Sequence, residues 1–276
     1  MNIFSEEYIL KSKLLNLFGI QSLRYVLAKI IYTFRGIIFS WHISQETRIL
    51  EKEGLILIEN FLNQDEYNEF KLNFDNYLKI GDDETFQSGD LLVQRSSINT
   101  NVGNKLLDFF LKSKKLVKIL SAVEKRNFVD YDVSKISSFV WIEKLIIKNS
   151  SDHDTQKDLH SDIFFNTHKI WYYPDKVSLE HGPFAYVKQS HKFNFQRIFL
   201  EYFNSISSKK IVNIRADNFE LRDYEKNKVI TTVNSNTLII ANTHGYHCRT
   251  SGKVGNIRKQ LHFSVRNNPF EGIFKK

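Results

Sequence analysis

A chain of 276 residues, 42% hydrophobic and 25% charged, is long enough to close one large core or two small ones. Its single cysteine, Cys248, excludes an internal disulfide framework and suits a reducing compartment. The net charge of +8 is dispersed and no nucleic-acid-binding motif accompanies it, so nucleic acid is not an expected partner.

Three prolines and eleven glycines leave little room for a flexible linker. One main domain is therefore expected over residues 49–276, behind an N-terminal segment at 1–48. No charged-then-apolar leader opens the chain, and a cytoplasmic location is expected.

Residues 5–43 differ from the rest. After Glu7 no acidic residue occurs until Glu46, and the apolar positions 23, 26, 27, 30, 31, 34 and 38 have helical spacing. Lys29 and Arg35 interrupt the run before it reaches the roughly 20 apolar residues a membrane span needs. A basic amphipathic helix of this kind either packs on the main domain as a helical cover or lies in a membrane interface. The second case would put the protein peripherally at the inner membrane surface.

Glu51 to Phe61 reads as a strand. Asn63 followed by Glu66 has the pattern of a capping box, and Tyr67, Phe70, Phe74, Tyr77 and Leu78 give the helix behind it one apolar face. A short strand is expected around Leu91–Val93 and one or two helices over Leu106 to Leu120. From Ile136 the spacing becomes that of a strand, with Phe139, Trp141, Leu145 and Ile147 alternating with Val140, Ile142, Lys144 and Lys148. Turns follow at Pro174-Asp175 and His181-Gly182-Pro183. Lys192 to Ile206 reads as a helix, with Phe195, Ile198, Phe199, Tyr202 and Phe203 on one side. Short strands dominate after Ile211. Helices first and many short strands later describe an α+β chain with a jelly-roll core.

The chemistry concentrates in His160-Ser161-Asp162. On a strand, residues i and i+2 share a face, so this imidazole and carboxylate leave the backbone side by side. They are two-thirds of a facial site of two histidines and one carboxylate. A second histidine is available at His244 or His247. Eleven positions after His247 comes Arg258, on a strand where Arg258, Gln260, His262 and Ser264 alternate with Leu261, Phe263 and Val265. A polar strand face is expected of a pocket wall, and an arginine there can grip a carboxylate through two parallel hydrogen bonds. The ordinary alternatives are a local His160–Asp162 hydrogen bond and a structural ion pair for Arg258. Cys248 is expected to turn away from the site, and His262 and Gln260 to face it.

HSD, KIWYYPDKVSLEHGPFAYVKQSHK and NTHGYHCRTSGKVGNIRKQL together resemble the phytanoyl-CoA dioxygenase family of Fe(II)/2-oxoglutarate oxygenases. EKEGLILIENFLNQDEYNEF resembles that family's opening strand and helix, so the likeness runs from about Glu51 to Arg266. It implies a double-stranded β-helix, iron held by His160, Asp162 and His247, and the far carboxylate of 2-oxoglutarate on Arg258. It favours His247 over His244 through the spacing to Arg258, and implies a place for Trp171 near the cosubstrate. The implied reaction consumes O2, hydroxylates a small-molecule or lipid-like substrate and releases succinate and CO2. The carboxylate of Asp162 argues against halogenation, which needs that position for halide. Two segments depart from the family pattern: Lys188-Gln189-Ser190-His191 replaces Pro-Gly-Ser-His, and the Asn-x-Ser after the distal histidine is missing. Two other readings stand beside this one. One is a cupin-type metal site with non-oxidative chemistry, and the other an inactive protein that binds a membrane surface.

Overall fold

The computed structural model describes residues 3–4, 7–38, 44–80, 84–97, 101–125, 140–149, 154–207, 214–216, 224–266 and 268–270. The segment around Trp41 and His42, and Ile136, Phe139 and His153, lie outside the described residues.

The N-terminal segment forms helices α1 (Lys13–Leu17), α2 (Ile20–Ile38) and α3 (Gln45–Glu53). Ser44 caps α3 by accepting from the Thr47 amide at 3.2 Å, and Gly54 ends it at φ +80°. Only glycine takes that angle without strain, and a side chain there would meet Tyr186 and His191. The strand expected from Glu51 therefore begins later, as β1 (Leu55–Ile58). Behind it the capping box forms as expected: Glu66 N–H donates to Asn63 Oδ1 at 2.9 Å and Asn63 N–H to Glu66 Oε2 at 3.1 Å.

Helix α4 (Gln64–Ile80) leads into β2 (Glu84–Ser88) and β3 (Leu91–Ser97), then α5 (Asn101–Leu111) and α6 (Lys114–Glu124). The remaining elements are β4 (Val140–Ile147), β5 (His160–Ser161), β6 (Thr167–Tyr173), β7 (Phe184–Val187), α7 (Phe195–Ile206), β8 (Ile214–Arg215), β9 (Lys228–Ile230), β10 (Thr237–Asn242), β11 (His247–Arg249) and β12 (Ile257–Arg266).

Seven strands pair in the order β1-β10-β6-β12-β4-β3-β2, and five in the order β8-β5-β11-β7-β9. All these pairings are antiparallel. Alternation decides what each face of the larger sheet touches. Tyr172, Leu261 and Phe263 point to one side, where Phe70, Phe74, Phe110 and Leu120 from α4–α6 cover them. Trp171, Tyr173 and Ile239 point to the other side and meet Phe184 and Tyr186 of the smaller sheet. Two sheets closed over one interior, with helices on the outside of the larger, make the double-stranded β-helix that the resemblance implies.

The N-terminal helices do pack on this core, but not through the apolar stripe. Buried on α2 are Gln21, Arg24, Tyr25 and Ala28, while Leu23, Ile30, Phe34, Ile37 and Ile38 are exposed. Only Leu27 and Ile31, at the stripe's edge, lean on Phe164, Phe165 and Phe270. Helix α7 does the same: Arg197, Glu201 and Ser205 are buried, and Phe195, Phe199 and Phe203 are exposed.

Candidate functional site

β5 and β11 are neighbours, and their register sets His160 directly opposite His247. The two rings lie 4.5 Å apart between centroids. Asp162 leaves the end of β5, its position fixed by its amide, which donates to the Thr243 carbonyl at 3.0 Å. Its Oδ1 is 4.0 Å from His160 Nε2 and its Oδ2 is 3.6 Å from His247 Nε2. One ligand atom from each of His160, Asp162 and His247 falls within 4.8 Å of the other two, the spacing of groups that can share one metal ion.

The ring orientations suit that use. His160 Nδ1 lies 2.8 Å from the Asp158 carbonyl, and His247 Nδ1 lies 2.9 Å from the Gly245 carbonyl. A carbonyl only accepts, so each Nδ1 carries the proton and each Nε2 turns a lone pair toward the common centre. Burial, with repulsion from His247, pushes His160 down to about 3, which keeps it neutral and able to ligate. Burial pulls the Asp162 carboxyl upward, but Lys169, His247 and His160 together hold it well below the usual carboxylate range. Lys169 Nζ is 2.7 Å from Asp162 Oδ2.

A cavity of about 320 Å³ opens over these three side chains. Trp171 forms part of its wall, packed on Phe184 at 4.6 Å and stacked on His262 at 5.8 Å and 14°. Arg258 lines the same cavity. Its Nη1 donates to the Gly182 carbonyl, at a turn where Gly182 adopts φ +61°. Its Nε is buried without a partner, and among the described residues Arg258 has no ion pair. Among the described residues, the structural ion pair that would have made Arg258 an ordinary core residue is not formed.

Gln260 and His262 face the cavity as the alternation of β12 requires. Between them stands Glu143, from β4. It accepts from Gln260 Nε2 at 2.6 Å and Arg95 Nε at 2.8 Å, and its Oε2 is 3.7 Å from His262 Nδ1. Burial would raise the Glu143 carboxyl, yet His262, Arg95 and Gln260 bring it down to about 2. Sequence reasoning missed Glu143, Arg95 and Lys169. Glu143 was within reach, because it has the parity of Trp141 and Leu145. Lys169 was within reach in the same way, because it has the parity of Trp171, whereas Arg95 gave no signal.

Two further histidines, His244 and His191, have structural tasks. His244 is buried, with Nδ1 2.8 Å from the Ile163 carbonyl and its ring against Tyr25, and does not reach the cluster. His191 touches the Glu51 carbonyl through Nε2 at 3.0 Å. Ser190, in the segment departing from the family pattern, accepts from the Tyr246 amide at 2.8 Å and donates to the Val187 carbonyl at 2.7 Å. Cys248 packs with Leu159, Ala185 and Val187, and burial pushes its thiol up to about 11.

No family model matches this chain, and no curated protein sequence is significantly similar to it. Solved structures are similar in fold. The epimerase SnoN, in complex with Fe3+, alpha ketoglutarate and nogalamycin RO, superimposes with a TM-score of 0.52 at 11% identity, over 80% of this chain and 81% of SnoN. The non-heme alpha ketoglutarate dependent carbocyclase SnoK, from nogalamycin biosynthesis, gives 0.51 at 14% identity, over 82% of this chain and 84% of SnoK. At such identities the likeness is one of architecture, and it identifies the fold of this chain as that of these two proteins: a double-stranded β-helix with flanking helices.

Proposed function

We propose that this protein is a non-haem Fe(II)- and 2-oxoglutarate-dependent dioxygenase that oxidises a C–H bond of a small molecule, in the manner of the phytanoyl-CoA dioxygenase family. The observation that carries the reading is one juxtaposition. Two imidazole lone pairs and a carboxylate converge on one point, and a buried arginine with no counter-ion among the described residues lines the same cavity.

Each residue then has a task. His160, Asp162 and His247 hold the iron, and leave the cavity side of the metal open. Lys169 neutralises the second oxygen of Asp162 and orients the carboxylate to offer the other. Arg258 takes the far carboxylate of 2-oxoglutarate, its guanidinium already steered by the Gly182 carbonyl. Trp171 closes the wall beside that position and keeps water from it. When bound, iron and 2-oxoglutarate supply oxygen-dependent C–H oxidation with succinate and CO2 as coproducts. Alignment of SnoN and SnoK to the same architecture supports this reading, since both names include alpha ketoglutarate.

The cavity wall is mostly polar, with Arg95, Glu143, Lys169, Gln260 and His262 around the cluster. That lining suits a polar small molecule, or the polar end of a lipid-linked one, better than a fatty chain. Hydroxylation is the expected outcome.

The test is an anaerobic titration of the apoprotein with Fe(II) and then 2-oxoglutarate, following the weak visible charge-transfer band of the chelate. A band that is lost in His160→Ala and weakened in Arg258→Ala supports the reading. Iron binding with no band on adding 2-oxoglutarate would move the assignment to a cupin-type, non-oxidative metal site. No iron binding would overturn it.

A further inference from the structure

Among the described residues, thirteen of the twenty exposed large hydrophobic side chains belong to residues 14–38 and 193–206, that is to α1, α2, α7, the turn between α1 and α2 and the turn before α7. These helices lie side by side. Ser22 Oγ donates to the Ile198 carbonyl at 2.7 Å, Asn16 Nδ2 to the Ser205 carbonyl at 3.1 Å, and Tyr202 Oη to the Leu17 carbonyl at 3.4 Å. Leu17, Phe18, Phe34, Phe195, Phe199 and Phe203 are each about 60–75% exposed.

Both longer helices are inside out. Their polar residues face inward and satisfy one another: Arg197 Nε donates to Glu201 at 3.0 Å, Gln21 Nε2 to Glu201 at 2.9 Å, and Arg197 Nη2 to Ser161 at 2.9 Å. Their apolar stripes face outward. A helix in water presents the opposite arrangement. Two adjacent helices with the same inversion describe a surface built for an apolar surrounding, since contiguous exposed apolar area on this scale marks an interaction site.

We propose that the face formed by α1, α2 and α7 docks on an anionic lipid membrane, lying in the interface and not crossing it. Charge selects this occupant. Residues 8–45 contain no Asp or Glu, and the single acid of α7, Glu201, is wholly buried against Arg197. Exposed Lys13 and Lys192 flank the face, Lys11 beside them is paired with Glu7 at 2.6 Å, and Lys209-Lys210 follow α7 in sequence. A second copy of this chain is the less suitable occupant. An isologous contact would set this predominantly basic face against itself and bring like charges together. Anionic headgroups supply that charge while the acyl boundary receives the phenylalanines. None of the helices described is long and apolar enough to cross a membrane. The inference stands apart from the proposed reaction.

The experiment is co-sedimentation of the full chain with vesicles of phosphatidylcholine mixed with phosphatidylglycerol, and with phosphatidylcholine alone, at low and high salt. Expected are binding to the mixed vesicles that weakens with salt, and a fall of about tenfold or more in partitioning for Phe199→Glu/Phe203→Glu. Leu72→Glu and Leu179→Glu, at exposed leucines elsewhere, should bind as the unaltered chain does. Circular dichroism and thermal unfolding establish that each variant is folded; if the double variant is not, Phe18→Glu replaces it with the same expected loss. No binding to the mixed vesicles overturns the proposal. So does a dimer, seen by sedimentation equilibrium, that the face variants dissociate while vesicle binding is unaffected.

Discussion

Two regions of this molecule bury arginines, and they bury them differently. Under α2 and α7, Arg197 reaches Glu201, Ser161 and Tyr8 with its donors, at 2.9–3.0 Å, and is a paired member of a structural network. In the cavity between the sheets, Arg258 has backbone carbonyls on one side and a buried Nε without a partner on the other. Burying a guanidinium costs several kcal/mol unless it is paired, so the two sites solve the same problem in different ways. The first is satisfied from within the chain. The second has no such partner among the described residues, and under the proposed function a carboxylate of the cosubstrate completes it. The same contrast separates the histidines: His244 is packed on Tyr25 and bonded to Ile163, whereas His160 and His247 offer Nε2 to a shared point.

The contrast can be broken at its strongest point first. His247→Ala or Asp162→Ala removes a third of the proposed ligand set, and iron content measured by elemental analysis should fall to background with the fold retained. Retained stoichiometric iron would mean that the cluster is not the metal site. On the satisfied side, Glu201→Ala leaves Arg197 buried without its carboxylate, and a loss of about 3–5 kcal/mol in unfolding free energy is expected by denaturant titration. A loss below about 1 kcal/mol, the range of an exposed pair, would show that the network is not closed as described.

Titration sharpens the comparison further. Burial pushes His191 down to about 3, with Lys29 and His168 adding repulsion, and His244 is lowered well below its ordinary value by burial and Lys29. In the unfolded chain both return to about 6.5. Between those values the unfolded chain binds more protons than the folded one, so stability rises with pH there. It is fully present above about 6.5 and is lost as pH falls toward 3. Melting temperature against pH should show this slope, and His191→Gln should flatten it; an unchanged slope would remove His191 from the account.

Arg258→Lys tests geometry against charge. An ammonium cannot reproduce two parallel hydrogen bonds, so 2-oxoglutarate affinity should drop by about ten- to a hundredfold, with iron binding unaffected. Full affinity in Arg258→Lys would mean that the carboxylate is held elsewhere in the cavity. The smallest effect belongs to a position far from both regions. Asn63→Ala removes one half of the capping box of α4 and should cost about 1 kcal/mol by thermal unfolding.

Much of the site was legible in the residues themselves. His160 and Asp162 share a strand face because of their spacing. The alternation of Arg258, Gln260 and His262 against Leu261, Phe263 and Val265 sorted β12 into a cavity face and a helix-covered face. Asn63 and Glu66 named their own cap. These are all local regularities, set by backbone geometry over a few residues. The strand expected over Glu51–Phe61 was wrong at its start because Ser44 and Gly54 cap a helix there, and caps outweigh weak apolar alternation in so short a stretch.

By itself, then, the sequence determined the His160–Asp162 pair proposed as metal ligands, the polar wall behind it and the amphipathicity of α2 and α7. The spacing to Arg258 favoured His247 over His244, but only tertiary structure set His247 opposite His160, because that depends on the register of β11 against β5. It alone brought Arg95, Glu143 and Lys169 to the cavity from three strands that are far apart in the chain. It also decided which way the amphipathic helices turn. Periodicity shows that a helix has an apolar stripe, but the environment that stripe meets is set by what the opposite face can pair with. Here Gln21, Arg24, Arg197 and Glu201 found their partners inward, and the phenylalanines were left facing out.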